Sequence, residues 1–311
     1  MNSILRKVKK LAPSVALVLG ALTTGAASAT VAPTLSGPIK MKFADYEQFT
    51  GNLSDGNGGF QFPTTFANGT EDLRGLFQIT QILNNDQTSP NFGSPVWNSG
   101  DNNTSLWGIF YGFDVISNPG GLTFNYTGGN YDIYLVNGSI NPLVTGVGGF
   151  VTSHTYTGIN TGGQQLWLSG DFGNGVDPAN AAATLQATIT TSTLPFTGQG
   201  YGNLDVGTTV NGTGSANPAF DTNSVVTAFG LRDASFHNDF HLPIDLNGNG
   251  VDDGTGITCT TTPCGQNFAG GWNLLSDDPV QAVVPEPGSL ALMGLGFLAL
   301  GFYRRRASKM S

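Results

Sequence analysis

The sequence predicts an all-β fold: a single antiparallel β-sandwich or jelly-roll-like domain, with a barrel as a close variant. Apolar residues recur at every second position in many short segments, which is the period of a strand with one buried face. The stretches between these segments are filled by Asn, Pro, Thr and many of the 45 Gly residues, as expected of turns. Apolar residues make up 39% of the chain and include 20 Phe, enough for a sizeable core.

The clearest strand pattern is the alternation of apolar residues from Trp107 to Val115. Segments 122–126 and 131–135 flank Thr127-Gly128-Gly129-Asn130, and we predict a β-hairpin there because Gly supplies the positive φ of a tight turn. Further short strands are predicted at Phe77–Thr80, Gln165–Ser169, Leu185–Thr191, Leu204–Val206 and Val225–Phe229. Loops are predicted at residues 84–100, 207–219 and 243–270.

The first 29 residues have the organisation of a secretory signal peptide. Val15–Leu22 is apolar, and Ala27-Ser28-Ala29 has the small residues of a cleavage site. The preceding basic segment contains Arg6, Lys7, Lys9 and Lys10. We therefore predict a signal helix over residues 1–29 that is removed on export.

The other end of the chain predicts a membrane anchor. After Pro285-Glu286-Pro287, the run Gly288–Tyr303 carries no charge and is followed by Arg304-Arg305-Arg306. As a helix this run would extend about 24 Å, a little less than the ~30 Å core of a bilayer, and the arginines would stay cytoplasmic. The chain thus divides into a signal peptide (1–29), a β-rich extracellular domain (30–283) and a C-terminal segment with a transmembrane helix (284–311).

Residues 284–311 resemble the PEP-CTERM sorting tail. The resemblance is carried by Pro285, Glu286 and Pro287, by the small-residue apolar span, and by the basic end of Arg304, Arg305 and Arg306. It implies that an exosortase in the inner membrane of a Gram-negative-type bacterium cuts near the Pro-Glu-Pro and releases the protein. The region 41–135 also resembles exoproteins with this tail that are linked to flocculation and biofilm, through Gly75-Leu76-Phe77, Trp97 and residues 107–112.

The extracellular domain is acidic. Its basic residues are Lys40, Lys42, Arg74 and Arg232 against 20 acidic residues, a formal charge of about −16. This balance argues against nucleic acid as a partner, because phosphate contacts need clustered Lys and Arg. An acidic surface of this kind is compatible with divalent cations and neutral sugars as binding partners.

Residues 245–253 predict a calcium loop. Asp245, Asn247, Asn249, the Val251 carbonyl and Asp253 alternate, and oxygen ligands at this spacing can converge on one Ca²⁺. Gly256 stands where an EF-hand has its bidentate Glu, so the loop is closer to those of thrombospondin type 3 repeats. The alternative is an ordinary polar turn.

The two cysteines, Cys259 and Cys264, are separated by four residues. In an exported protein this spacing predicts a short local disulfide.

Two further patterns each allow a functional and a structural interpretation. On a strand, His237, Asp239 and His241 would share one face, as a metal or catalytic site or as a polar strand face. The four tryptophans, Trp97, Trp107, Trp167 and Trp272, can stack on sugar rings if exposed, the alternative being core packing.

The sequence has no nucleophile motif. The only glutamates in the extracellular domain are Glu47 and Glu71, so its other carboxylates all come from Asp residues. We therefore predict a non-enzymatic, structural or adhesive protein of the cell surface or matrix, associated with exopolysaccharide in flocs or biofilm. The first alternative is a carbohydrate-binding module with an aromatic platform. The second is a secreted glycan hydrolase or lyase, which two facing carboxylates in a cleft would favour.

Overall fold

The computed structural model describes residues 31–49, 66, 69–118, 121–138, 140, 154–191, 197–228, 230–241 and 274–285. This part of the chain consists of fourteen β-strands, one 3-10 turn and one short helix. In chain order they are β1 (Gly37–Phe49), β2 (Leu73–Asn84), β3 (Pro95–Asn98), the 3-10 turn (Asp101–Asn103), β4 (Thr104–Ser117), β5 (Thr123–Asn137), β6 (Gln165–Gly173), β7 (Leu185–Thr191), β8 (Thr197–Val206), β9 (Thr208–Thr209), β10 (Gly212–Thr213), α1 (Asn217–Phe220), β11 (Val225–Thr227), β12 (Gly230–Arg232), β13 (Ala234–His241) and β14 (Leu274–Val284).

Eight of these strands form one antiparallel sheet that closes on itself. Neighbours follow the order β1-β14-β13-β8-β6-β5-β4-β2, and β2 pairs again with β1. The predicted all-β, antiparallel class is therefore confirmed, but the described strands form a closed, barrel-like sheet and not the two facing sheets of a sandwich. The physical reason is that β1 pairs along both of its edges, which joins the two ends of the sheet.

Between β5 and β8 the sheet is completed by two shorter strands. β6 pairs with residues 130–135 of β5, and β7 pairs with residues 123–126 of the same strand. Both β6 and β7 also pair with β8. A small strand, β3, extends the sheet beside residues 81–83 of β2.

Most of the predicted strand positions are confirmed. Residues 77–80 lie in β2, residues 165–169 begin β6, residues 185–191 form β7, and residues 204–206 end β8. The strand predicted at 225–229 ends at Thr227. Two predicted loops contain short strands, which are β3 in 84–100 and the β9–β10 pair in 207–219.

The predicted hairpin at residues 122–135 is wrong, because β5 runs unbroken from Thr123 to Asn137. Gly128 and Gly129 have φ values of 76° and 93°, and Gly112 on the neighbouring strand has 81°. These conformations change which side of the sheet the alternate side chains occupy. The apolar stripe of β4 switches accordingly: Trp107, Ile109 and Tyr111 pack in an outer cluster, whereas Phe113 and Val115 belong to the interior core.

The interior core depends on glycines that make room for large side chains of the adjacent strand. On β8, Gly198, Gly200 and Gly202 lie opposite Phe240, Asn238 and Phe236 of β13, respectively. A Cβ at each glycine would come within 2.0–2.2 Å of the opposing side chain. Burial of each phenylalanine stabilises the fold by roughly 1.5–3 kcal/mol, so these glycines are a packing requirement of the sheet.

A second, outer cluster covers β4 and β5 from outside. Tyr156 and Ile159, in the segment 154–161, pack on Trp107 and Ile109. Trp97, Trp107 and Trp167 are 4%, 1% and 3% exposed, so they are core residues and no platform for sugars. Trp272 lies outside the described residues.

Along the sequence, the strands of the described sheet fall between the two predicted sorting segments. Gly37 at the start of β1 pairs with Val284 at the end of β14, one residue before Pro285. Removing residues 1–29 and the chain beyond the Pro-Glu-Pro would therefore remove no described strand. The predicted signal helix and transmembrane helix lie outside the described residues, and no helix within the described ranges is long and apolar enough to cross a bilayer.

Candidate functional site

A groove of about 500 Å³ crosses the outer face of four adjacent strands, β1, β14, β13 and β8. We call it the outer groove. The strand register places a row of polar side chains across it: Lys40 pairs with Gln281, Gln281 with Ser235, and Ser235 with Asn203. Alternate residues of each strand face this side because their neighbours face the core.

An aromatic pair lies beside this row. Tyr201 of β8 and His237 of β13 are register partners, and their rings stack with centroids 4.4 Å apart and planes 13° apart. Tyr201 is 41% exposed. Its hydroxyl donates to Gln199 Oε1 over 3.3 Å, and Gln199 Nε2 donates to Asp239 Oδ1 over 3.0 Å. The ring of Tyr201 is therefore held in a defined position while much of its surface meets solvent.

The β11–β12 pair forms one wall of the outer groove, where Val226 lines the groove and is 81% exposed. Arg232, at the end of β12, anchors this wall: Nη1 donates to Asp205 Oδ2 over 2.7 Å, and Nη2 donates to the Asn174 carbonyl over 2.8 Å. Partial burial raises the pKa of Asp205, and the charge of Arg232 opposes that rise. The wall is thus fixed to the sheet by an ion pair at its base.

The outer groove combines an exposed aromatic surface with amide and hydroxyl groups. Aromatic rings bind the apolar faces of sugar rings, and fixed amides and hydroxyls exchange hydrogen bonds with sugar hydroxyls. The predicted strand face of His237, Asp239 and His241 exists, because the alternate residues Ala234, Asn238 and Phe240 are buried. Within the described residues, no group of three His, Cys, Asp or Glu side chains could hold a metal ion.

A separate polar cluster fastens the segment 154–161 to the sheet. His154 Nε2 lies 2.9 Å from both carboxylate oxygens of Glu71, and its ring stacks on Tyr111 at 4.6 Å. Glu71 also forms an ion pair with Arg74 and accepts a 2.6 Å hydrogen bond from the Gly112 amide. Burial pushes the pKa of Glu71 upward, but these hydrogen bonds and charges together lower it. We interpret this cluster as a structural anchor.

The interior of the barrel-like sheet holds two buried carboxylates. Asp45 and Glu47 are 6% and 7% exposed and occupy interior positions of β1. The Ser276 hydroxyl of β14 lies 2.5 Å from Asp45 Oδ1 and 3.0 Å from Glu47 Oε1, and the Ser276 amide donates to Asp45 Oδ1 over 2.7 Å. On the other side, Asn238 Nδ2 donates to Ser276 Oγ over 2.8 Å. We call these four residues the interior acid cluster.

Burial dominates the electrostatics of the interior acid cluster. It raises the pKa of Glu47 to about 7, against a lowering by hydrogen bonds with Ser276 and Asp45. Burial, and then the charge of Glu47, raise the pKa of Asp45 well above its ordinary value. The described residues place no Lys or Arg in contact with this pair. Near neutral pH the two carboxyl groups therefore retain at least one proton.

The residues of the interior acid cluster were not among the sequence predictions. Asp45, Glu47 and Ser276 belong to β1 and β14, which the patterns did not identify as strands. A signal was present: Ile39, Met41 and Phe43 alternate, and the two acidic residues continue the same alternation onto the buried face. An acidic residue at a predicted interior position is the feature that would have identified them.

The other predicted site residues lie outside the described residues. They are the calcium ligands Asp245, Asn247, Asn249, Val251 and Asp253, the cysteines Cys259 and Cys264, and the sorting residues Glu286, Pro287, Arg304, Arg305 and Arg306. Their roles stay predictions. Pro285 is described and is exposed directly after β14.

Comparison with known proteins identifies the C-terminal segment. Residues 283–307 match the PEP-CTERM protein-sorting motif. This motif indicates an extracellular protein that an exosortase processes. No curated protein and no solved structure matches the chain.

Proposed function

We propose that this exosortase-processed extracellular protein is a non-enzymatic matrix component that holds exopolysaccharide in floc or biofilm. The observation that carries the proposal is the outer groove, where the stacked Tyr201–His237 pair adjoins the row of polar side chains that runs from Lys40 to Asn203. A groove of about 500 Å³ accommodates a short segment of a chain polymer, which is compatible with an adhesive role.

The charge of the protein favours a neutral polymer. With about −16 formal charges between residues 30 and 283, the extracellular domain repels polyanions unless cations bridge the two. Each groove contributes a modest affinity, but many copies along one polymer gain through their effective concentration. A matrix role therefore requires no tight single site.

The same groove fits the narrower function of a carbohydrate-binding module, because its aromatic surface is exposed and held in place. The Asp45–Glu47 pair does not favour a glycan hydrolase. Both carboxylates contact a single serine, and they face a mostly apolar interior cavity of about 120 Å³. Hydrolases instead place their two carboxylates on either side of the bond that is cut.

The test is co-sedimentation of the purified secreted protein with cell-free matrix polysaccharide. We expect Tyr201→Ala to weaken binding about tenfold, which is the size of one aromatic contact. Phe92→Ala is the matched control, because Phe92 is 54% exposed, lies in the β2–β3 turn and is not one of the described residues that line the groove. Equal binding of both variants would reject the outer groove as the polysaccharide site.

A genetic experiment tests the role in the matrix. Deletion of the gene should reduce aggregation of the cells, and the wild-type and Phe92→Ala proteins should restore it better than Tyr201→Ala. Polysaccharide chain length should stay constant during incubation with the purified protein. Progressive shortening of the polymer would replace the structural role with an enzymatic one.

A further inference from the structure

The interior of the barrel-like sheet contains a cavity of about 120 Å³. Its lining is mostly aromatic and aliphatic, with Phe43, Phe124, Phe172 and Phe236 among the contributors. The interior acid cluster supplies polar groups to this lining through Asp45, Glu47 and Asn238. An engineered cavity of about 150 Å³ binds benzene, so this cavity has room for a ligand of only a few carbon atoms.

Asn238 supplies a polar atom with no partner among the described residues. The side chain is 7% exposed, and its Oδ1 accepts no hydrogen bond there. The Asn238 amide group is oriented with Nδ2 toward Ser276 Oγ, whose hydroxyl lies 2.5 Å from Asp45 Oδ1. Gly200 opposes Asn238, and a Cβ there would lie 2.0 Å from Oδ1. Burial of an unpaired amide oxygen costs about 1–3 kcal/mol in general, so this oxygen indicates a missing donor.

Most of the polar groups at this end of the cavity are hydrogen-bond acceptors. Asp45 and Glu47 bring carboxyl oxygens that retain at least one proton near neutral pH, and Asn238 brings a carbonyl oxygen. The Tyr126 hydroxyl, a donor whose pKa is raised by burial and by the charge of Glu47, also lines the cavity. Asp233 also lines the cavity, but it already accepts hydrogen bonds from the backbone amides of Val206, Thr222 and Asn223 at 2.6–2.8 Å. Among the described residues of this lining, Asn238 Oδ1 therefore still lacks a hydrogen-bond donor, and it shares the lining with the acidic pair.

We propose that the interior cavity binds a small primary amine with an apolar body, whose ammonium group lies against Asp45, Glu47 and Asn238. An ammonium group has three donors and no acceptor, which matches this set of oxygens. Its positive charge compensates the buried acidic pair, and the aromatic walls attract cations. This binding site is independent of polysaccharide binding at the outer groove.

A bare divalent cation fits less well. Calcium takes six to eight oxygen ligands, whereas the interior acid cluster offers four side chains within apolar walls. A sugar would bring hydroxyl groups on all sides, and most of this lining could not pair them. A short alkylamine places its one polar group at the acidic end and its carbons among the phenylalanines.

The test uses the secreted protein and three four-carbon probes: n-butylamine, n-butanol and n-butyrate. Binding is measured by calorimetry and by the shift in melting temperature at pH 7. We expect the amine to bind at least about tenfold more tightly than the alcohol, because of its charge-assisted hydrogen bonds, and we expect no binding of the carboxylate. Equal effects of amine and alcohol would show an apolar cavity without an ammonium site and would overturn the proposal.

Isosteric variants locate the site. Glu47→Gln and Asp45→Asn should each reduce the preference for the amine over the alcohol, whereas Asp221→Asn, which removes an exposed carboxylate, should not. Ala187→Leu keeps both acids but fills part of the cavity, so it should weaken binding of both probes. If the amine preference survives in all the folded variants of the cavity, the amine binds elsewhere and the proposal is wrong.

Discussion

Replacing Glu47 with glutamine tests the electrostatics of the interior directly. Gln has nearly the same shape as Glu but binds no proton. Burial raises the pKa of Glu47 from its ordinary 4.5 to about 7. A rise of that size corresponds to about 3 kcal/mol of unfavourable free energy for the ionised side chain in the folded protein.

The sign of the effect follows from proton binding. Between pH 4.5 and 7 the folded protein holds a proton on Glu47 that the unfolded chain has lost, so stability falls as pH rises through this window. Below pH 4.5 the side chain is neutral in both states. We therefore expect Glu47→Gln to be close to the wild type in stability near pH 4.5 and more stable by about 3 kcal/mol near pH 8.

Urea unfolding at several pH values, followed by tryptophan fluorescence, measures this difference, because Trp107 and Trp167 are buried. The exposed variant Asp221→Asn is the control and should keep the pH dependence of the wild type. A stability difference between Glu47→Gln and the wild type that is constant from pH 4.5 to 8 would refute the reasoning. So would a wild-type protein whose stability rises across that range.

Three further predictions address packing, calcium and processing. Gly200→Ala should lower the free energy of unfolding by about 1–3 kcal/mol because its Cβ would meet Asn238, and adding Asn238→Ala should recover part of this loss in a thermal melt. If residues 245–253 bind calcium, chelator should lower the melting temperature, by an amount equivalent to about 2.7 kcal/mol at a hundredfold excess of calcium over the dissociation constant. Asp245→Ala should abolish that difference, and a melting curve unaffected by chelator would leave an ordinary turn. The intact mass of the released protein should correspond to a C-terminus between residues 284 and 288, and recovery of residues 304–306 in it would contradict processing at the Pro-Glu-Pro.

The strands that the sequence predicts best are those in which a local pattern is complete. β7 has its predicted bounds, and β6 begins where predicted, because alternation along one segment depends only on that segment. For β5, the local pattern predicted a hairpin and the prediction was wrong. Its Gly-Gly pair has the positive φ values of a turn, but the paired β4 carries Gly112 at the same level, and both strands continue. Whether two glycines reverse a strand or switch its faces is decided by the neighbouring strand.

The candidate sites depend even more on distant partners. Asp45 and Ser276 are 231 residues apart in the chain, and they meet only because β1 pairs with β14. The stacked pair of the outer groove likewise requires the register between β8 and β13. No local pattern contains this information, because strand register is set by which faces are buried across the whole sheet.

The sequence by itself determined the destination of the protein and its fold class. Export and sorting signals are recognised as linear segments, so residues 283–307 are identifiable without any fold. Alternation and abundant glycine were enough to predict antiparallel strands. The tertiary structure decided that the sheet closes, that three tryptophans are buried, and that two carboxylates face an apolar interior. These features arise from pairing between residues far apart in the chain, and the free energy of that pairing comes from burial of the closed sheet as a whole.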